Sequence, residues 1–262
     1  MHWKPYFYIF KAYLMKDMSY RFNFLFSYIL HMTRLLIYLA VWATIFVDKE
    51  TIHHYTWDEM ASYYVLITIS TLLLAPSHLF EFQPLIRKGS LSTLLIKPIH
   101  IEANIFAKFL ASKLPILLLM STLSLLVLYL LNISFTLSLS PWSVLLFGLS
   151  FLLIFYFGLA LSVLAFWLVE MWPLRKIFQG CMTLFGGIVA PLDLFPRSMQ
   201  ILAGFTPFPY FGYINVKALQ GELTAQELQG HCLIAISWIV FFICVFKFLW
   251  KQGLKHYEAV NL

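Results

Sequence analysis

Few residues in this chain carry groups able to do chemistry, and their spacing argues against catalysis. His31 and Arg34 stand one helical turn apart inside an apolar run. A charge at mid-bilayer costs at least about 2.5 kcal/mol on insertion scales, so such an arginine is expected to face protein or water rather than lipid. Two roles stay open for it: lining a transport route or subunit interface, or locking the bundle through a buried ion pair or carbonyl contact. Glu170 is the nearest acid by elimination. His53 and His54 are adjacent in a short polar loop, so they point apart, and no third metal ligand follows at suitable spacing. They read as residues of a solvated loop. Cys181, Cys232 and Cys244 lie in or beside apolar segments without pairing or metal-ligand spacing, which makes them small buried apolar residues. H-E-x-x-H, G-x-S-x-G and G-x-x-x-x-G-K-[ST] are all missing from the sequence. No catalytic residue, metal site or cofactor of the chain's own is expected.

What remains is cationic and mechanical. The stretch 83–113, QPLIRKGSLSTLLIKPIHIEANIFAKFLASK, carries Arg87, Lys88, Lys97, Lys108 and Lys113 against Glu102. Gly89 breaks it and Pro98 closes a second short helix. Charge topology alone would account for a basic connector. Yet Leu85, Ile86, Leu91, Leu94, Leu95 and Ile96 are many apolar residues for a loop that touches nothing. The expectation is a hairpin that docks on a partner supplying energy. A second, smaller turn of the same kind is EMWPLRK, 170–176.

The elements that must position these groups are membrane helices. The chain is 61% apolar and 11% charged, against roughly 25% charged in ordinary globular chains. Its apolar runs are continuous, unlike the alternating short segments of a barrel. The formal net charge of +6 sits beside these runs, where topology and lipid headgroups explain it without nucleic acid. No cleavable signal peptide is visible. The expected architecture is one all-α polytopic domain over 1–262. It has an interfacial helix at 1–21, with aromatics dipping inward, and spans at 22–47, 60–80, 114–131, 142–169, 177–192 and 228–250. Thr56 with Glu59, Ser140 with Pro141, and Thr224 with Glu227 read as helix starts. Pro76 should kink or end the second span. The Pro-, Gly- and aromatic-rich region 193–227 reads as short helices dipping into the outer leaflet. Placing both termini inside puts the cations of the two ends, of 83–113 and of 170–176 on the inner face. Only Lys49, Arg197 and Lys217 are then outside, as the positive-inside rule favours.

The chain resembles the membrane subunit of ABC transporters of the type-2 permease class, in the ABC-2 membrane-6 branch. The resemblance rests on YRFNFLFSYI, YTWDEMASYYV and LIRKGSLSTLLIKPIH. It rests also on PLDLFPRSMQILAGFTPFPYFGYINVKALQGELTAQEL and LWKQGLKHYEAVNL, in that order along the whole chain. It implies a type V exporter-like fold with six spans, a cytoplasmic coupling helix (83–100) and an extracellular re-entrant hairpin (193–227). It implies a second permease, identical or paralogous, and two copies of a cytoplasmic ABC ATPase that bind the ATP and Mg. Leu85, Ile86, Arg87, Lys88, Gly89, Ser90, Leu91, Leu94, Leu95 and Pro98 would meet the ATPase, with Trp172 and Arg175 as the smaller contact. Spans one, two and five would line the route, which puts His31, Arg34 and Phe185 on the path or subunit interface; Arg34 with His31 departs from the family pattern. The implied activity is export of a small molecule, lipid, glycan, peptide, drug or natural product across the cytoplasmic membrane. An ion-coupled carrier is the alternative, although no acid lies inside a span and no internal repeat is visible. A lipid-modifying membrane enzyme is the third reading, with its polar groups scattered over different depths.

Overall fold

The computed structural model describes residues 4–19, 21–168 and 170–257. Residues 1–3 and 20 of the expected interfacial helix, Val169 at the end of the fourth expected span, and the last five residues of the terminal motif lie outside them. The described residues are mostly helical, with one isolated bridge between Ile52 and Tyr55 and no sheet.

Helix α1 (Lys4–Ser19) is followed by α2 (Arg21–Phe46). α3 (Trp57–Leu73) begins on a reciprocal cap, in which the Thr56 side chain accepts from the Glu59 N–H and the Glu59 carboxylate accepts from the Thr56 N–H. It stops short of Pro76, and the chain continues as a 3-10 turn, Ser77–Phe80. α4 (Phe82–Arg87) and α5 (Leu91–Ile96) form a tight hairpin around Gly89, whose φ of 68° suits a residue without a Cβ. α6 (Ile101–Leu130) carries Pro115 in its interior. The third span was expected near 114 with a helix leading into it over 99–113, and the two form one continuous helix. Residues 101–113 are mostly good helix formers, and the helix absorbs the one i−4 hydrogen bond that the proline removes. α7 (Pro141–Ser162) starts on the expected Ser140 cap and ends in a 3-10 turn, Val163–Phe166. α8 (Trp172–Phe185), α9 (Arg197–Gly204) and α10 (Tyr213–Gln220) are short, and α11 (Ala225–His256) starts on the Thr224–Glu227 box.

Five stretches are long and apolar enough to cross a membrane: Ile29–Phe46, Trp57–Arg87, Ile101–Leu130, Pro141–Phe166 and Ala225–His256. The expected span 177–192 is not among them. α8 has 14 residues, about 21 Å at 1.5 Å per residue. It ends at Gly186, and Gly187 turns the chain with a φ of 76°. A Cβ on Gly187 would lie 2.5 Å from the Tyr63 hydroxyl. That hydroxyl donates to Gly187 O at 2.7 Å, Tyr64 donates to Val189 O at 2.5 Å, and the Tyr213 N–H reaches Gly186 O at 3.0 Å. The broken helix end is thus completed by α3 and α10, as non-helical backbone at apolar depth requires.

Two apolar cores result. One joins α7 and α11 to the hairpin, and the other joins α2, α3 and α10. Gly158 of α7 lies against the His78 imidazole, whose Nε2 is 2.8 Å from Phe155 O, so a larger residue there would collide with the ring. α1 packs along α6 rather than lying alone. The His100 N–H donates to the Tyr6 hydroxyl at 3.0 Å, and the Tyr13 ring lies 5.0 Å from Lys108 Nζ. Phe7 and Tyr8 remain on its exposed face.

Candidate functional site: an arginine-lined cavity and a basic hairpin

Where α3 breaks at Pro76, the chain must place carbonyls that have lost their helical partners. Lys113 of α6 does this. Its side chain is 3% exposed, and Nζ donates to Leu72 O at 3.1 Å and Ala75 O at 2.7 Å. Nearby, Lys108 pairs with Glu81 at the foot of the hairpin. These contacts fix the direction in which the chain leaves α3.

That break opens a cavity of about 590 Å³ between α2, α3 and α8. His31, Arg34 and Tyr38 line it from α2, Thr68 and Thr71 from α3, and Arg175, Gln179 and Thr183 from α8. Its other walls are mostly apolar, with Leu72, Leu79, Phe178 and Met182 beside Ser77. Thr68 and Thr71 donate to Tyr64 O and Ile67 O, each at 2.7 Å, so toward the cavity they offer acceptors. No Asp or Glu lines it. Arg34 and Arg175 have no ion-pair partner among the described residues. Arg175 lies 5.5 Å from the Phe80 ring centroid. Glu170, the acid proposed for Arg34 by elimination, instead accepts from Arg87 Nη1 at 3.1 Å.

The hairpin is clamped from several sides. The Phe82 ring lies 5.0 Å from Trp250, and the Tyr257 hydroxyl donates to Gly89 O at 3.0 Å. Of the residues expected to meet a partner, Leu91 is fully buried, while Leu85, Ile86 and Leu94 pack half-buried on the larger core. Gly89 and Ser90 form the turn. Arg87, Lys88, Leu95 and Pro98 are exposed, and Ile96 is exposed to 82%. Trp172 is exposed, with Lys176 Nζ 5.3 Å from its ring centroid. The structure therefore divides the expected interface. Arg175 goes to the cavity with His31 and Arg34, Leu91 holds the hairpin in place, and the outward surface is Arg87, Lys88, Leu95, Ile96 and Pro98. Phe185 stacks on Phe208, with centroids 6.4 Å apart, and does not line the cavity.

Sequence reasoning missed the polar faces of α3 and α8. Thr68 and Thr71 stand at i, i+3 and Gln179 and Thr183 at i, i+4 within apolar helices, a spacing that puts each pair on one side. It also missed a cluster at the opposite end of the bundle. Lys217 Nζ is 2.8 Å from Asp193 Oδ2, pairs with Glu222, and lies 3.1 Å from His54 Nε2. The Tyr55 hydroxyl donates to Asp193 Oδ2 at 2.9 Å. Burial and the two carboxylates push the Tyr55 hydroxyl far above its ordinary range, so it stays a donor. The loop bearing His53 and His54 is therefore tied down rather than simply solvated. Among the described residues no group of three His, Cys, Asp or Glu is placed to hold a metal.

The sequence model of a family described as ABC-2 family transporter protein matches residues 31–260. No curated protein matches the chain.

Proposed function

The chain belongs to the ABC-2 family of transporter proteins, a multi-pass membrane protein, and from that premise we propose that it is the permease subunit of an ATP-driven exporter. In this reading its energy comes from a separate cytoplasmic ABC ATPase, two copies of which grip two permease subunits, identical or paralogous. The hairpin α4–α5 is the coupling element, and both termini lie on its side of the membrane. α8 with the segments up to Gln220 is the sixth crossing together with its re-entrant outer closure. ATP binding draws the ATPase pair together and pushes on the hairpins. The cavity then alternates between states that differ in substrate affinity, the only way a ligand can bias such an equilibrium.

The observation that carries the reading is the outer face of the hairpin. Leu95 and Ile96 are exposed beside Arg87, Lys88 and Lys97 on an element whose other face is clamped into the core. An apolar-basic face on a rigid lever suits a packed contact with two arrangements. The test is Leu95→Asp with Ile96→Asp in the complex purified with its ATPase. Both side chains are already exposed, so insertion and thermal stability should stay as in the parent. Recovery of ATPase with the permease should fall about tenfold, the order expected when an apolar interface anchor is replaced by a buried charge. Undiminished recovery together with unchanged transport would remove the hairpin as the coupling element. Leu91→Asp serves as the contrast, since it should unfold the hairpin itself.

A further inference from the structure

We propose that the cavity between α2, α3 and α8 binds an amphipathic anion, with a carboxylate or phosphate group held by Arg34 and Arg175 and an apolar body against Phe178, Met182 and Leu79. This names a substrate class for the permease reading and rests on it for its biological meaning, though not for its test.

Four observations lead there. Arg34 and Arg175 line one cavity, and neither has an ion-pair partner among the described residues. No carboxylate lines the cavity. Arginine keeps its charge at any accessible pH, and both side chains are exposed where a ligand can reach them. The lining residues supply no counter-charge of their own. The acids nearest in sequence to the lining residues, Glu81 and Glu170, are paired with Lys108 and Arg87. A bound anion supplies the counter-charge.

The shape of the site agrees with the charge. Arg34 stands halfway along α2 and Arg175 in the first turn of α8, so the two cations enter one cavity from different helices. A guanidinium offers a planar fork that matches a carboxylate or phosphate, and Gln179 adds amide donors. Thr68 and Thr71 spend their hydroxyl protons on their own helix, leaving the guanidiniums as the main donors. A volume of about 590 Å³ lies within the range of small-molecule sites. Its apolar walls would be poorly matched by a bare inorganic ion.

The experiment uses the full-length permease with its ATPase in phosphatidylcholine nanodiscs, without nucleotide, and radiolabelled dodecyl phosphate as the probe. Saturable binding is expected, displaced by unlabelled dodecyl phosphate and not by dodecanol or dodecyltrimethylammonium. Arg34→Gln and Arg175→Gln should each weaken it about tenfold, the size of one lost charge-assisted hydrogen bond. Arg34→Lys should keep most of the affinity, and Lys49→Gln, outside the cavity, all of it. Adding phosphatidylglycerol to the discs separates the two sources of such an anion. Competition assigns the site to lipid headgroups, and unchanged affinity assigns it to a solute; either outcome supports an anion site. Equal binding by the parent and both Gln variants, equal displacement by the cationic amphiphile, or no saturable binding would overturn the proposal. The hairpin variants separate the two ideas. They should lose the ATPase yet bind dodecyl phosphate normally, so failure of either inference leaves the other standing.

Discussion

The two ends of the bundle manage buried positive charge in different ways. At the end where α10 and α11 meet, Lys217 is buried among Asp193, Glu222 and His54, of which Glu222 is local in sequence and Asp193 and His54 come from other segments. At the hairpin end, Lys113 is equally buried but is met only by the carbonyls of Leu72 and Ala75. On the hairpin itself a pair, Arg87 with Glu170, has side chains that are each 60% exposed. One end is cross-linked by charge. The other also has one inward ion pair, Lys108 with Glu81, but its most buried cation is held by dipoles alone and its outermost pair faces solvent. The contrast suits a molecule closed firmly at one end and pushed at the other.

The largest effect should come from cutting the charged cluster. Lys217→Met leaves two carboxylates side by side with no cation, and breaking a buried pair in this way costs about 3–5 kcal/mol. The apparent thermal midpoint in detergent should fall sharply. Lys217→Met with Asp193→Asn and Glu222→Gln should recover much of the loss, because the whole ionic group then disappears. A single variant as stable as the parent would erase the contrast between the ends. Lys113→Met should cost less, about 1–3 kcal/mol, since it strands two carbonyls and no charge. If it proves as damaging as Lys217→Met, its ammonium is the keystone of the α3 break rather than a cap on it.

The same contrast explains what could be read from the chain in advance. Thr56 with Glu59 and Thr224 with Glu227 were legible because a capping box is closed within four residues. Pro76 as the end of α3 was legible because proline lacks the N–H that a helix needs. Lys113 and Lys108 look alike in sequence, five residues apart in one basic run. Only the fold tells them apart, because one meets carbonyls 38 and 41 positions away and the other meets Glu81. The stretch expected as a span at 177–192 was legible only in part, for a related reason. Its composition is apolar enough, but Gly186 and Gly187 end the helix, and the tyrosines that complete it lie on α3. The cavity was half legible. His31 and Arg34 stood out as charge in an apolar run, whereas Arg175 looked like part of a cytoplasmic turn.

The smallest expected change in stability is the one that bears most on how the hairpin works. Arg87→Ala removes a pair exposed to water on both sides, and such pairs are worth about 0–1 kcal/mol. The midpoint should therefore barely move. The hairpin would still be clamped by Phe82 against Trp250 and by the Tyr257 hydroxyl on Gly89 O. What it would lose is the ionic half of its link to Glu170, which Gln83 Nε2 also reaches at 3.3 Å. That link joins the hairpin to the start of α8, which carries Arg175 into the cavity. If that link passes on motion, Arg87→Ala should lower substrate-stimulated ATPase activity severalfold, and more steeply than it lowers recovery of the ATPase. Glu170→Gln should do the same, and the double variant should be no worse than either single one, as expected for partners in one contact. Additive losses would mean that the two residues act separately, and that the hairpin end is held as independently of the cavity as the Lys217 end.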